Sequence, residues 1–170
     1  SFELGKNIAA TEGAIIYENE LMQLIQYEPR TNQQFSVPLL IIPPWINKYY
    51  ILDLRPENSF IKYALDQGHS VFVCSWVNPD ADLADKTFED YMLLGPIAAI
   101  DAIEKSIGAK KVNAVGYCLG GTLLASTLAY MAAHGDKRIV TATYLVTMLD
   151  FSDAGEITVF IDEEQLSALE

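Results

Sequence analysis

Four runs rich in apolar residues divide the chain, and each is about as long as a single strand. They are rich in β-branched residues, and none alternates cleanly with polar positions, which is typical of strands covered on both faces in a parallel sheet. The runs are VPLLII at 37–42, SVFVCSW at 70–76, KVNAVG at 111–116 and TATYLVTML at 141–149. This pattern predicts a buried, mostly parallel sheet.

Helical periodicity separates the later runs. Isoleucines recur at steps of three and four residues from Ile97 to Ile107 and stop before Gly108, and small or apolar residues recur every four from Gly120 to Ala132. Both patterns predict amphipathic or buried helices that end near a glycine. Thr87 with an aspartate three residues later predicts a helix cap, and Pro96 predicts a kink.

A hairpin precedes the first run. Its strands are predicted at Ala14–Tyr17 and Leu21–Tyr27, turned around residues 18–20. A hairpin followed by strands and helices in alternation is the order of an α/β fold with a mostly parallel sheet.

Composition limits the class of protein. The chain has 170 residues, 51% of them hydrophobic, which is enough to bury the core of one domain. Its formal net charge of −12 excludes the basic surface that nucleic acid or anionic lipid requires. No apolar run approaches the roughly 18 residues of a membrane span and no secretory signal pattern opens the chain. We therefore expect a cytoplasmic protein without a membrane span, in which the two cysteines are not a disulfide framework.

The stretch VGYCLGG at 115–121 carries the candidate chemistry. It joins the third run to the following helix, at the carboxyl edge where parallel sheets place their sites. Residues 116–120 read G-x-C-x-G, which is the nucleophile-elbow pattern with cysteine in place of serine. Gly116 and Gly120 would let strand and helix approach closely, and Cys118 would stand at a helix N-terminus, whose partial positive charge stabilises a thiolate. Cys118 is therefore the candidate nucleophile.

Other interpretations of this stretch are weaker. A dinucleotide-binding loop would need glycine at position 118, and a P-loop would need lysine after Gly121. A buried cysteine in a glycine-rich turn remains the plain alternative. Cys74 lies in the middle of a predicted strand, where a free cysteine usually packs as a small hydrophobic residue.

An elbow also requires an oxyanion hole. One donor is expected to be the backbone N–H of Leu119, and the second should come from the loop PPWIN at 43–47. Prolines have no N–H, so the candidates are the backbone amides of Trp45, Ile46 and Asn47. We favour Trp45 or Ile46, with Asn47 shaping the loop.

Neither histidine fits the role of general base. His134 lies 16 residues along the helix from Cys118, roughly 24 Å away, and His69 lies at the opposite edge of the sheet, roughly 20 Å away. Asp150 follows a strand at the correct edge, although a turn or cap role is the expectation there. We therefore expect the catalytic histidine and its aspartate beyond Glu170.

Four separated blocks resemble the polyhydroxyalkanoate synthases, bacterial enzymes that polymerise hydroxyacyl thioesters. The blocks are PPWINKYYILDL at 43–54, QGHSVFVCSWVNPD at 67–80, GYCLGGTLLA at 116–125 and TMLDFSDAGEI at 147–157. The resemblance implies an α/β-hydrolase fold, with residues 1–154 as the N-terminal part of its catalytic domain and residues 155–170 as the start of a cap. It implies Cys118 as the acylated nucleophile and an aspartate and histidine in a later segment.

The resemblance also implies substrates and partners. The donor would be (R)-3-hydroxyacyl-CoA, with no further cofactor and no metal, and the product a growing polyester. A homodimer in the cytoplasm, associated with polyester granules, is expected. Two other classes stay open: a cysteine thioesterase or hydrolase with water as acceptor, and a non-catalytic hydrolase-fold binding module.

Overall fold

A single mixed sheet organises the chain in the computed structural model, which describes residues 1–156 and Ser167. Within those residues the sheet has six strands in the order β1-β2-β4-β3-β5-β6. They are β1 (Gly13–Glu18), β2 (Met22–Tyr27), β3 (Leu39–Ile42), β4 (Val71–Trp76), β5 (Val112–Tyr117) and β6 (Ile139–Leu145). Strands β3 to β6 pair in parallel, whereas β1 and β2 form an antiparallel hairpin that pairs with β4. The predicted α/β fold with an N-terminal hairpin is confirmed.

Helices connect the parallel strands. They are α1 (Phe60–Asp66), α2 (Phe88–Met92), α3 (Ala98–Ile107) and α4 (Leu119–Ala133). The predicted Thr87 cap is a full capping box, and Gly108 ends α3 in the left-handed conformation (φ 73°). The kink predicted at Pro96 is a π-helical turn over Leu93–Ile97 that joins α2 to α3, because proline cannot donate a regular helical hydrogen bond.

The core explains why the apolar runs do not alternate with polar residues. In β3, Leu40 and Ile42 pack against α2, α3 and α4 on one face of the sheet, whereas Ile41 packs toward α1 on the other. All four residues of β3 are buried. Since both faces are covered by helices, every position of a central strand can be apolar.

The strand boundaries agree with the sequence prediction to within one residue except in β3 and β6. β3 begins at Leu39 and not at Val37, and Pro38, which has no N–H for the ladder, takes part only through its carbonyl, which accepts from Asn113 N at 2.9 Å. β6 runs from Ile139 to Leu145 and not from Thr141 to Leu149. It ends early because Val146 has φ 49° and turns the chain out of the ladder.

The predicted cap segment, 155–170, lies outside the described residues except for Gly155, Glu156 and Ser167. In the described part of the chain, no helix has the length and apolar character needed to cross a bilayer.

Candidate active site

Cys118 stands at a sharp turn between the last residue of β5 and the first residue of α4. Its backbone has φ 53° and ψ −124°, a conformation that costs an L-residue about 1–3 kcal/mol. Hydrogen bonds on both sides maintain it: the Cys118 amide donates to Leu145 O at 2.9 Å, and its carbonyl accepts from Gly121 N at 2.9 Å. The backbone therefore has the strained geometry of a nucleophile elbow.

The two elbow glycines are required by close backbone contacts. A Cβ on Gly116 would lie 2.9 Å from Gly121 N, and a Cβ on Gly120 would lie 2.7 Å from the Ile42 carbonyl carbon and overlap its oxygen. Real Cβ atoms are essentially never closer than 3.0 Å. Glycine at these positions lets α4 start directly against the ends of β3 and β5.

Gly121 has a similar role that the sequence pattern did not single out. A Cβ there would lie 2.6 Å from the Thr147 methyl carbon. Thr147 lies just past β6, and its hydroxyl donates to Leu145 O at 3.1 Å. Thr122, in the first turn of α4, also contacts this segment, since its hydroxyl donates to Met148 O at 2.8 Å. The segment after β6 therefore packs against the first turn of α4 and is hydrogen-bonded to it.

The two predicted oxyanion donors come from neighbouring segments. Leu119 is the first residue of α4, and its amide has no acceptor among the described residues. The loop after β3 begins at Pro43, whose carbonyl carbon would lie 2.8 Å from a Cβ on Gly120. The start of α4 and the start of this loop are therefore in direct contact, as a two-part oxyanion hole requires.

Within the loop, the structure separates the three candidate amides. Asn47 N donates to Pro44 O at 3.3 Å, which closes a turn and agrees with a loop-shaping role for Asn47. The amides of Trp45 and Ile46 have no acceptor in the described part of the chain. The Ile46 side chain is 68% exposed, and that of Trp45 is half-buried. Trp45 and Ile46 remain the candidate donors.

An aromatic cluster supports this loop. The Trp45 ring lies 5.0 Å from Tyr91 and 6.2 Å, edge on, from Trp76, with Phe88 on a further side at 6.1 Å. The Trp76 indole nitrogen donates to Pro43 O at 2.7 Å. The role of Trp76 could not be predicted from the sequence, in which its only signal is a tryptophan at the end of a predicted strand.

The two cysteines differ in their surroundings. Cys74 is fully buried in β4, and burial raises the pKa of its thiol to about 12. Cys118 is partly exposed. This placement agrees with a packing role for Cys74 and leaves Cys118 as the accessible thiol.

Both histidines lie away from the elbow, as expected. His134 follows the last residue of α4, where its ring stacks on Tyr130 at 4.1 Å. His69 precedes β4 at the opposite edge of the sheet and packs against Phe35 at 4.9 Å. Its Nδ1 is buried without a hydrogen-bond partner among the described residues.

Asp150 has the turn role that the sequence predicts. Its Oδ1 accepts a hydrogen bond from Ser152 N at 2.9 Å, and the hydrogen bonds from Ser152 lower the pKa of its carboxyl group. Across the described residues, no three histidine, cysteine, aspartate or glutamate side chains are grouped as metal ligands would be.

Comparison with known structures defines the fold family. An esterase from Pyrococcus furiosus superposes with a TM-score of 0.62 at 12% identity, covering 99% of this chain and 63% of that one. A Rhizomucor miehei esterase gives a TM-score of 0.59 at 15% identity, covering 92% and 52%. These similarities establish an α/β-hydrolase fold.

Sequence comparison is more specific. Residues 1–64 match the family described as the N-terminus of poly-beta-hydroxybutyrate polymerase (PhaC). The poly(3-hydroxyalkanoate) polymerase subunit PhaC of Rhizobium etli is 55% identical over 169 residues, covering 99% of this chain and 27% of that protein. The corresponding subunit of Cupriavidus necator is 48% identical over 163 residues, covering 96% and 28%. Over nearly its whole length the chain is therefore similar to the poly(3-hydroxyalkanoate) polymerases, or polyhydroxyalkanoate synthases, and it spans a little over a quarter of the length of these relatives.

Proposed function

We propose that this chain carries the nucleophile of a polyhydroxyalkanoate synthase, and that Cys118 takes the acyl group from (R)-3-hydroxyacyl-CoA. One observation carries the proposal: a partly exposed cysteine occupies the strained turn between β5 and α4, beside backbone amides that have no acceptor among the described residues. A cysteine placed only for packing would not need this conformation. Relatives at 48–55% identity are named as poly(3-hydroxyalkanoate) polymerases, which supports the same assignment.

The first step is acyl transfer to the enzyme. The Cys118 sulfur forms a bond to the thioester carbonyl carbon, and the carbonyl oxygen becomes an oxyanion. The amides of Leu119 and of Trp45 or Ile46 stabilise that charge. When the bond from carbon to the coenzyme A sulfur breaks, coenzyme A leaves as the thiol with the proton that Cys118 has lost. Since one thioester replaces another, the acyl group stays activated.

The second step extends the polyester. The hydroxyl oxygen of another 3-hydroxyacyl group attacks the acyl carbon held on Cys118, an oxygen ester forms, and the Cys118 thiol is regenerated with the hydroxyl proton. A serine at position 118 would lose the activation at the first step by forming an oxygen ester. Water must be excluded, since its attack would release free hydroxy acid.

The general base for these proton transfers is not among the described residues. His69 and His134 lie at the far edge of the sheet and at the far end of α4, and Asp150 is used in a turn. We infer that a histidine and its aspartate come from a part of the full-length protein outside this chain. The coenzyme A thioester is the substrate, and the proposal includes no further cofactor. A homodimer in the cytoplasm at the surface of a polyester granule is the proposed setting.

The experiment uses the full-length protein with 3-hydroxybutyryl-CoA. Coenzyme A release, polymer and free 3-hydroxybutyrate are measured together. Polymer with little free acid supports the synthase, whereas free acid without polymer identifies a thioesterase. Cys118→Ala is expected to abolish both products, and Cys74→Ala is the matched control that keeps them. Equal coenzyme A release by the Cys118→Ala variant would overturn the covalent mechanism and favour a binding module.

A further inference from the structure

The indole of Trp76 is tied to the backbone of the loop that supplies the second oxyanion donor. Trp76 is the last residue of β4 and is only 8% exposed. Its Nε1 donates to Pro43 O at 2.7 Å, and this bond is buried. Because buried carbonyls need a partner, loss of the indole N–H would leave the Pro43 oxygen without compensation for its lost hydration.

Pro43 is held from two sides. On one side the Trp76 indole fixes the direction of its carbonyl. On the other side the start of α4 packs closely against it: there is no room for a Cβ on Gly120, which would lie 2.8 Å from the Pro43 carbonyl carbon. Pro44 follows, and because its ring fixes the backbone angle φ, the orientation of the Pro43–Pro44 peptide is passed to the next two amides, those of Trp45 and Ile46.

The surroundings of Trp76 keep its ring in place. Gly95, in the π-helical turn, gives the ring its space, since a Cβ there would lie 2.9 Å from the ring carbon Cζ3. The ring of Tyr91 lies 5.5 Å away, and the Trp45 ring meets it edge on at 6.2 Å. These contacts hold the ring in the orientation in which its N–H donates to Pro43 O. π-Helical turns of this kind occur frequently at functional sites.

We propose that Trp76 is a positioning residue for the oxyanion hole: its hydrogen bond to the Pro43 carbonyl aims the Trp45 and Ile46 amides at the oxygen of the reacting thioester. This inference rests on the proposed acyl transfer to Cys118. It concerns a residue that does not touch the substrate and acts through the loop.

The test compares two reactions of the same thiol in the full-length protein carrying Trp76→Phe. Acylation by 3-hydroxybutyryl-CoA builds an oxyanion and is followed as the first-turnover release of coenzyme A. Alkylation of Cys118 by iodoacetamide is a displacement at a saturated carbon and needs no oxyanion hole. We expect the acylation rate to fall by about 10- to 100-fold, as for a small misplacement of a catalytic group. The alkylation rate and the half-saturating substrate concentration should stay within about twofold, because no group that contacts the thiol or the bound substrate has changed.

Tyr91→Phe is the matched control, because it lies in the same aromatic cluster and keeps its ring; both of its rates should match the wild type. An acylation rate in Trp76→Phe equal to that of the wild type would overturn the proposal. A parallel fall in acylation and alkylation would overturn it as well, since it would indicate general damage to the elbow. If Trp76→Phe does not fold, 3-benzothienylalanine at position 76 keeps the bicyclic ring and removes only the N–H, and the same two outcomes decide. A wild-type protein without Cys118-dependent coenzyme A release would instead overturn the proposed function itself.

Discussion

Replacing Gly120 with alanine adds one methyl group at the tightest backbone contact of the elbow. The new Cβ would overlap the Ile42 carbonyl oxygen and lie 2.7 Å from its carbon, against 3.4 Å or more for an ordinary contact. The neighbour is a buried strand end and not a flexible side chain, so it cannot swing aside. The start of α4 would therefore have to retreat by more than half an ångström.

Two opposing effects set the size of the change. Alanine in place of a helical glycine gains about 0.5–1 kcal/mol. Overpacking a tight contact costs about 1–3 kcal/mol, so the net loss of stability should be between about 0 and 2.5 kcal/mol. The retreat also moves Cys118 and the Leu119 amide relative to the loop after β3. Because catalysis depends on that geometry, we expect the acylation rate of the folded protein to fall by about 100-fold, although the protein stays folded.

The measurement is first-turnover coenzyme A release together with a thermal melt of the full-length Gly120→Ala protein. Gly108→Ala is the matched control, since a Cβ there meets nothing within 4 Å and the only strain is its φ of 73°. It should cost about 1–2 kcal/mol through the left-handed backbone and leave acylation unchanged. A Gly120→Ala protein with wild-type acylation would refute the reasoning, because it would mean that the helix start is not fixed against β3.

Three further results are expected. Cys74 is fully buried, which shields it from reagent and raises the pKa of its thiol to about 12, so peptide mapping after iodoacetamide treatment should find Cys118 modified first; preferential labelling of Cys74 in the folded protein would contradict the assignment. Cys118→Ser should keep the thermal melt and lose polymer formation, since an alcohol is the weaker nucleophile near neutral pH, and an unchanged polymer yield would show that a thioester on Cys118 is not required. Residues 1–170 alone should self-associate on size-exclusion chromatography, because β6 pairs only with β5 in the described chain and Val140 on it is 44% exposed. They should not sustain polymer synthesis, because they lack a general base among the described residues. A monodisperse monomer that makes polymer through many turnovers would contradict both expectations.

The sequence by itself determined the elements and the position of the elbow. Apolar runs without alternation mark strands covered on both faces, and glycine and proline mark where helices end or bend, because these effects act within a few residues. The pattern at residues 116–120 predicted a strained turn for the same local reason, and Cys118 has it. The exclusion of both histidines also needed only chain distance and strand direction.

Contacts between segments distant in sequence were decided by the tertiary structure. Nothing in their spacing says that β3 lies between β4 and β5, yet that order places Trp76 beside Pro43, 33 residues away along the chain. The predicted end of β6 is wrong for a related reason. Val146 and Thr147 have the sequence pattern of strand residues, but Thr147 lies outside the strand and packs against Gly121 at the start of α4. The conformational preference of one residue contributes about 0.1–1 kcal/mol to the free energy of folding. Breaking a buried hydrogen bond or creating a steric overlap costs about 1–3 kcal/mol. Where segments meet, packing therefore overrides the local pattern.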